Sequence, residues 1–526
     1  WIFSDFLLSD PAFIQRLHDT MRSTLVQYSD RQEVGLQEMQ NHINLDINSS
    51  ATIFGDIVEK VRNFCMTETK SIRIKAREEE KTAIANLINA RNEINATIAP
   101  SDLQTEAYEA AQEKLQLIQS RRHQKASDRN LVNYASLGER TTRYHFARSK
   151  RGKSSREIPK LIIETDLGQR ILEGTEVQHH MFQKYQNIVQ LDPEACTTSI
   201  EEFLGPVLVQ SLRLCPPEQH RYLTAPILTI EIKNIVKELK LNSAPGPLGL
   251  SNSLIKEIVP LMTTILQDYG NNLFFGDTPD FMPWFFHRIV IFILKPGKPT
   301  SNPDSYRGLS MLECFFKIFS KILSNRMQNC MLVVQNPHQF GFSKGKGILE
   351  ASRTVLDVFQ YAQKNNLPLV AISTDFFKAF DSIAIQHIEN CLELYQFPQP
   401  FSSAFMRMAR NGTAQFEINS QLSDDHPLNK GTGQGDPKSS SGYNLSAAPL
   451  NHYLANAIEV PRFKHQGEDV PPVFFADDAL LLLQGDQIDA ILDLLRKIAD
   501  YYYVSGLKLN ISKCEILAIG CNELAV

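Results

Sequence analysis

Residues Val473 to Leu483 read VFFADDALLLL, so that two adjacent carboxylates, Asp477 and Asp478, interrupt a run that is otherwise apolar. At ~4 Å and an effective dielectric near 20 such charges repel by roughly 4 kcal/mol, and burying either without compensation costs more. The stretch therefore demands a positive partner. Just downstream, ILDLLRKIADYYY has the periodicity of an amphipathic helix, with Asp486 as its candidate N-cap and Gly506 as its stop. The aspartates then lie where two short strands meet. About a hundred residues earlier, LPLVAISTDFFKAFDSI reads as an apolar strand that runs out at Asp375, with Phe380 five residues on. A hairpin with carboxylates at its tip, beside a strand ending in a third, makes an oxygen-ligand cluster. Oxygen-only ligands select Mg2+ or Mn2+, and partial ligation leaves room for substrate phosphates. Two such ions about 4 Å apart suit an in-line phosphoryl transfer.

The rest of the composition is that of an ordinary globular chain. With 526 residues there is room for several domains, and 43% apolar and 21% charged residues fit packed cores. A net charge of −5 does not advertise nucleic-acid binding, so any basic surface is local. The eight cysteines form no CxxC pair, which excludes a zinc finger and a disulfide framework and points to reduced thiols in an intracellular compartment. The opening WIFSDFLLSDPAF lacks the sections of a signal peptide, and no apolar run is long enough to span a membrane.

Residues 10–130 are polar with helical periodicity, broken at Pro100, after which Ser101 can cap a second helix; a peripheral helical domain is the expectation. Positive charge collects between Gly138 and Lys160, where Arg143, Arg148, Lys150 and Arg151 are interleaved with Tyr144 and Phe146. Such a run is either a solvated face or a phosphate-contacting segment. From Thr229 the pattern becomes α/β: TIEIKNIVKELKL is a helix, HRIVIFILKPGKP a strand ending in a loop, and LECFFKIFSKILSNRMQNCM a strongly periodic helix. Asp436 followed by Pro437 is a helix start, continued at helical spacing by Tyr443, Ala447, Leu450, Leu454 and Ile458. Before it, Gly433 and Gly435 flank Gln434 and permit close backbone approach, as a nucleotide platform or simply as a turn. Lys295, Lys298 and Arg307 lie on predicted loops after a strand and are candidates for a triphosphate, while Lys513 is placed to protonate a departing pyrophosphate.

In order along the chain, APGPLG, ILKPGK, SYRGLSML, HQFGFSKGKG, STDFFKAFDS, GQGDP, FADD and GLKLNISK resemble the reverse transcriptase of non-LTR, LINE-type retrotransposons, over about Thr229 to Gly520. The resemblance implies an α/β (α+β) right-hand polymerase with fingers and a palm built on an RRM-like antiparallel sheet, preceded by a mostly helical N-terminal domain. It implies a division into residues 1–12, the tail of an apurinic-type endonuclease domain; 13–165, a helical region with the basic segment; 166–346, an N-terminal extension and fingers; and 347–526, the palm, with the thumb absent or incomplete. By the same likeness Asp375, Asp477 and Asp478 hold two Mg2+ ions, Mn2+ being an alternative, with help from the Phe376 carbonyl. Phe380 excludes a 2′-hydroxyl, Lys295 and Arg307 contact the incoming triphosphate, Gln434 and Gly435 order the template–nucleotide pair, and Lys513 is the general acid. The implied partners are an RNA template, a DNA primer at a nuclear target and deoxynucleotides, with no membrane. Five positions depart from the family pattern: Leu248 replaces Asp, Gly308 Pro, Ser343 Arg, Gly433 a frequent Arg, and Lys438 Leu. None is a metal ligand. A catalytically inactive, retroelement-derived nucleic-acid-binding fragment is the alternative, and an RNA-copying RNA polymerase is disfavoured by Phe380.

Overall fold

In the computed structural model the described residues run from 3 to 520, without 4, 30–38, 40–42, 44–48, 97–100, 138–156, 166–167, 242 and 278–280. Helix α1 (Pro11–Leu25) starts where Asp10 accepts the Ala12 amide at 3.0 Å and Pro11 fills the first helical position. Ser49 caps α2 (Ser50–Asn95) by accepting the Thr52 amide at 3.1 Å. Helix α3 (Asp102–Leu137) returns alongside it. Ser101 caps α3 as expected: its hydroxyl accepts the Gln104 amide at 3.4 Å, and the Gln104 side chain accepts the Ser101 amide at 3.0 Å.

The expectation that these helices are peripheral holds for the far half of α2 and for α3, none of whose described side chains is buried. The first half of α2 buries Ile53, Phe54, Ile57, Val58, Val61 and Cys65 in the main core. There the Phe54 ring meets Tyr269 at 4.8 Å, Phe315 at 4.9 Å and Trp284 at 5.6 Å. A polar composition hid this, because the exposed half of the same helix dilutes the apolar stripe.

After a hairpin of β1 (Lys160–Thr165) and β2 (Gly168–Glu173) comes α4 (Thr175–Val189), packed on a sheet of β3 (His287–Leu294), β4 (Tyr306–Leu312) and, later, β5 (Thr413–Ile418). Strand β3 is antiparallel to β4 and parallel to β5. Tyr185, Phe292 and Phe416 form the aromatic centre between sheet and helix. Arg307 lies within β4, not on a loop. Cys314–Val334, the long helix that follows, buries fourteen residues including Phe315, Phe316 and Phe319, which makes it the axis of the main core.

The strand Leu369–Thr374 stops one residue short of Asp375. It is the third strand of a four-stranded antiparallel sheet, in the order Val473–Phe475, Asp478–Gln484, Leu369–Thr374, Glu515–Ile519. In the central pair Leu481 faces Ile372 and Leu482 faces Ala371. One face, with Ile372 and Leu481, joins the main core; the other, with Ala371 and Leu482, packs on Val358 and Ala362 of the helix Ile348–Lys364. Burial on both faces is why the strands are apolar at consecutive positions. The helix after GQGDP spans Ser439–Asn456, so Ile458 falls beyond its end and is 96% exposed, contrary to the spacing argument. The helix Ile488–Ser505 is preceded by Gln487, not capped by Asp486, and stops at Gly506 in the left-handed conformation as expected. No helix among the described residues is long and apolar enough to cross a membrane.

This burial contrast is directly measurable. Leu482→Ala is expected to cost about 2–5 kcal/mol in chemical denaturation, while Ile458→Ala stays within about 0.5 kcal/mol of the parent chain.

Candidate active site

Phe475 pairs with Asp478 across a two-residue turn made of Ala476 and Asp477. Ala476 sits at φ +58, the left-handed region that the first position of such a hairpin turn usually gives to glycine. On the neighbouring strand Thr374 pairs with Ala479, so Asp375 leaves its strand beside Asp478. The three acids feel one another. Burial, then the Asp375 charge, raises the Asp477 carboxyl above the usual range, with its own backbone amide and the Arg307 and Lys513 charges opposing. Burial followed by the charges of Asp477 and Asp375 raises Asp478. Tyr443, buried beneath, is raised by burial and then by all three carboxylates.

The positive group that the opening stretch demands is, in this structure, Lys513. Its ammonium donates to Asp375 Oδ2 at 2.7 Å, and the Asn510 side chain donates to the same oxygen at 3.1 Å. The Asn510 amide reaches the Asp375 carbonyl at 2.8 Å and so ties the segment after Gly506 to the strand end. Among the described residues no three His, Cys, Asp or Glu side chains stand together as metal ligands. The donor set nevertheless suits a hard divalent cation: all oxygen, crowded, and destabilised by its own charge.

Lys295 is lowered by burial and then by the Lys513 and Arg307 charges, so the three cations lie within electrostatic reach of one another. Its ammonium donates to the Asp304 carbonyl at 3.0 Å. Phe376 is buried and its backbone bridges to Leu509. The Phe380 ring lies between Tyr443, at 4.9 Å and 30°, and Phe342, at 5.8 Å and 84°.

The GQGDP segment reaches the site through its backbone. The Thr432 amide donates to the Phe380 carbonyl at 2.9 Å, and the Ser310 amide to the Gln434 carbonyl at 2.9 Å. A Cβ on Gly435, which has φ +116, would stand 2.8 Å from the Ser310 carbonyl oxygen, and one on Gly433 2.3 Å from Arg288 Nη1. Both glycines are therefore needed for close approach, though the near neighbour is the chain's own strand. Arg143, Arg148, Lys150 and Arg151 lie outside the described residues.

Sequence reasoning missed a buried ionic cluster under this turn. Asp436 does not serve as the N-cap of Ser439–Asn456; its carboxylate takes an ion pair from Lys438 Nζ and hydrogen bonds from the Ser320 hydroxyl and the Lys438 amide. The Lys438 ammonium also lies over the Phe316 and Phe405 rings at 5.3 and 5.8 Å. Arg288 is buried alongside; burial lowers its pKa, and the Asp436 charge opposes that. Nothing short of the fold could pair Lys438 and Arg288 with one carboxylate, although an unexpected lysine after DP was the available signal.

Residues 293–524 match the family model described as reverse transcriptase (RNA-dependent DNA polymerase). That stretch of the chain is similar to a reverse transcriptase domain. All three site aspartates, and Lys295, Arg307, Gln434 and Lys513, lie within it. The chain is also similar to the transposon TX1 uncharacterized 149 kDa protein of Xenopus laevis, 24% identical over 99% of this chain and 37% of that protein. The RNA-directed DNA polymerase from mobile element jockey of Drosophila melanogaster is 24% identical over 75% of the chain and 42% of its own length. The polyprotein of the type-2 retrotransposable element R2DM, from the same fly, is 26% identical over 53% of the chain and 25% of its own length. The chain thus spans less than half the length of each of these relatives.

Because its carboxyl is raised, Asp477 binds a proton more tightly in the folded chain than in the unfolded one, so its charge opposes folding at neutral pH. In metal-free buffer at pH 7, Asp477→Asn is expected to raise the thermal midpoint by roughly 1–3 °C. The gain should disappear as the pH falls below the ordinary carboxylate value, which a melting series across pH would record.

Proposed function

We propose that this chain is the polymerase region of a non-LTR retrotransposon protein and copies RNA into DNA, adding deoxynucleotides to the 3′-hydroxyl of a primer at a nicked target. The observation that supports it most directly is the meeting of Asp375, Asp477 and Asp478 at one end of the two central strands, inside the stretch similar to a reverse transcriptase domain, with Lys295, Arg307 and Lys513 within electrostatic reach. In this reading the four-stranded sheet with its covering helices is the palm, the region before Gly347 supplies the fingers, and the residues before 165 are a helical region ahead of them.

The three carboxylates and the Phe376 carbonyl would hold two Mg2+ ions, with Mn2+ as a substitute. When bound, the ions activate the primer hydroxyl and stabilise the leaving oxygen. The chain's own groups do the rest. Lys295 and Arg307 hold the triphosphate by charge. Lys513 carries a proton that it can give to the departing pyrophosphate. Phe380, braced by Tyr443 and Phe342, closes the space that a 2′-hydroxyl needs. Gln434 and Gly435 align the template base with the nucleotide. Arg143, Arg148, Lys150 and Arg151 bind phosphates of the template or target, and the protein acts in the nucleus.

Primer extension on an RNA template tests this. The parent chain should extend with Mg2+, and Asp477→Asn should reduce extension to background. Undiminished extension by that variant ends the assignment, and absence of extension by the parent with retained RNA binding favours the non-catalytic alternative. Lys513→Ala is expected to lower kcat by about 10²–10⁴-fold. Phe380→Val should admit ribonucleotides that the parent rejects, read by incorporation of each nucleotide type in separate reactions.

A further inference from the structure

HQFGFSKGKG, the segment ahead of the helix Ile348–Lys364, passes directly over the aspartate turn. The Phe340 amide donates to the Phe474 carbonyl at 2.8 Å, and the Phe474 amide to the His338 carbonyl at 3.0 Å. Between these two contacts the Gln339 side chain is wholly buried. Its Oε1 accepts the Ala476 amide at 3.1 Å and the Gly341 amide at 3.0 Å, while its Nε2 donates to the Ala476 carbonyl at 3.3 Å. One side chain therefore grips both backbone polar groups of the residue that precedes Asp477. That residue is an alanine held at φ +58, where an L side chain is strained and a glycine is not. The fit allows no slack: a Cβ on Gly341 would stand 2.0 Å from the Ala476 nitrogen.

The grip is anchored in turn. The Ser343 hydroxyl donates to the Gln339 carbonyl at 2.8 Å and accepts from the Gln335 side chain at 2.6 Å. The Asn444 side chain, from the helix after GQGDP, donates to the Gln335 side chain at 3.2 Å and to the Gly341 carbonyl at 3.0 Å. Gln335, Gln339, Ser343 and Asn444 are all buried. Of the polar atoms of these four side chains, only Asn444 Oδ1 is buried without a hydrogen-bond partner; in a low-dielectric interior the bonds that are made fix geometry, because each displaced member loses its partner without gaining water. Ser343, which departs from the family pattern, is a link in this network; an arginine there would not serve the same two partners.

We propose that Gln339 is a positioning residue for Asp477 and Asp478: its amide holds Ala476 in the left-handed conformation and so sets where the two carboxylates stand beside Asp375. The consequence for rate rests on the polymerase reading; the grip itself does not. Hydrogen exchange with mass spectrometry reads the grip in the chain without substrate, and primer extension on a homopolymeric RNA template with Mg2+ and the complementary deoxynucleotide reads its effect on chemistry.

Gln339→Met should speed exchange of the Ala476–Asp478 amides at least about tenfold, with the amides of the Leu369–Thr374 strand unchanged. It should lower kcat by up to about a hundredfold, the cost of a small displacement at a reacting centre, with KM for the nucleotide unaltered. Adding Ala476→Gly, which removes the strain that the grip opposes, should restore most of the lost kcat. Wild-type exchange in Gln339→Met overturns the proposal. So does a loss of kcat that follows a general loss of folded protein and is not rescued by Ala476→Gly. Where Gln339→Met does not fold, Gln339→Glu keeps an acceptor for both amides but replaces the donor to the Ala476 carbonyl with a buried charge; faster exchange at Ala476–Asp478 supports the grip and wild-type exchange overturns it. A parent chain that does not polymerise defeats the functional reading alone, since exchange still decides the grip.

Discussion

The mutual repulsion of Asp375, Asp477 and Asp478 is the constraint from which the surrounding arrangement follows. Charges of one sign at one end of a strand pair separate unless backbone and cations oppose them, and here both do. Two strands carry the acids to the same end by register. Lys513 and Asn510 hold Asp375, and Gln339 holds the residue before Asp477. Two antiparallel strands that are buried on both faces make that end rigid. Burial, and then the neighbouring charges, still raise the Asp477 and Asp478 carboxyls. A site that sacrifices folding free energy in this manner is one in which function, not stability, fixes the residues.

Much of this was legible before any coordinates. VFFADDALLLL could be divided into two strands because the next helix already had its own periodicity, and the apolar run before Asp375 could only be a short buried strand. These are local arguments, and local arguments survive folding. The failures are equally physical. Ile458 keeps helical spacing with Leu454 but lies past the helix end in solvent. Arg307, read as part of a loop after the HRIVIFIL strand, lies instead within β4, which runs through both Arg307 and Gly308. Asp436 before Pro437 has the chemistry of a cap, but a buried lysine and a serine from the long helix claim its carboxylate instead. For Arg307 and Asp436 a tertiary partner outbid a local preference, and tertiary partners are not written in spacing; Ile458 shows only that apolar spacing can outrun the helix that carries it.

The two departures near GQGDP belong together. Glycine at 433 leaves space that the Arg288 guanidinium occupies, and lysine at 438 neutralises Asp436 from below. A buried carboxylate next to two cations is costly to assemble and costly to break, so the arrangement specifies one geometry for the turn more than it adds stability. What reaches the active-site mouth from this cluster is backbone: the Thr432 amide on Phe380 and the Gln434 carbonyl on Ser310.

Helix α2 has a mechanical consequence. Its 46 residues form one uninterrupted rod, about 69 Å long at 1.5 Å per residue. Its root is clamped by Phe54 among aromatic rings, one of them Phe315. Phe315 begins the long helix Cys314–Val334, and five residues further on Ser320 donates to Asp436 under the GQGDP turn. Leverage applied at the distal tip is thus borne by a fulcrum only two side-chain contacts from the turn that carries Gln434.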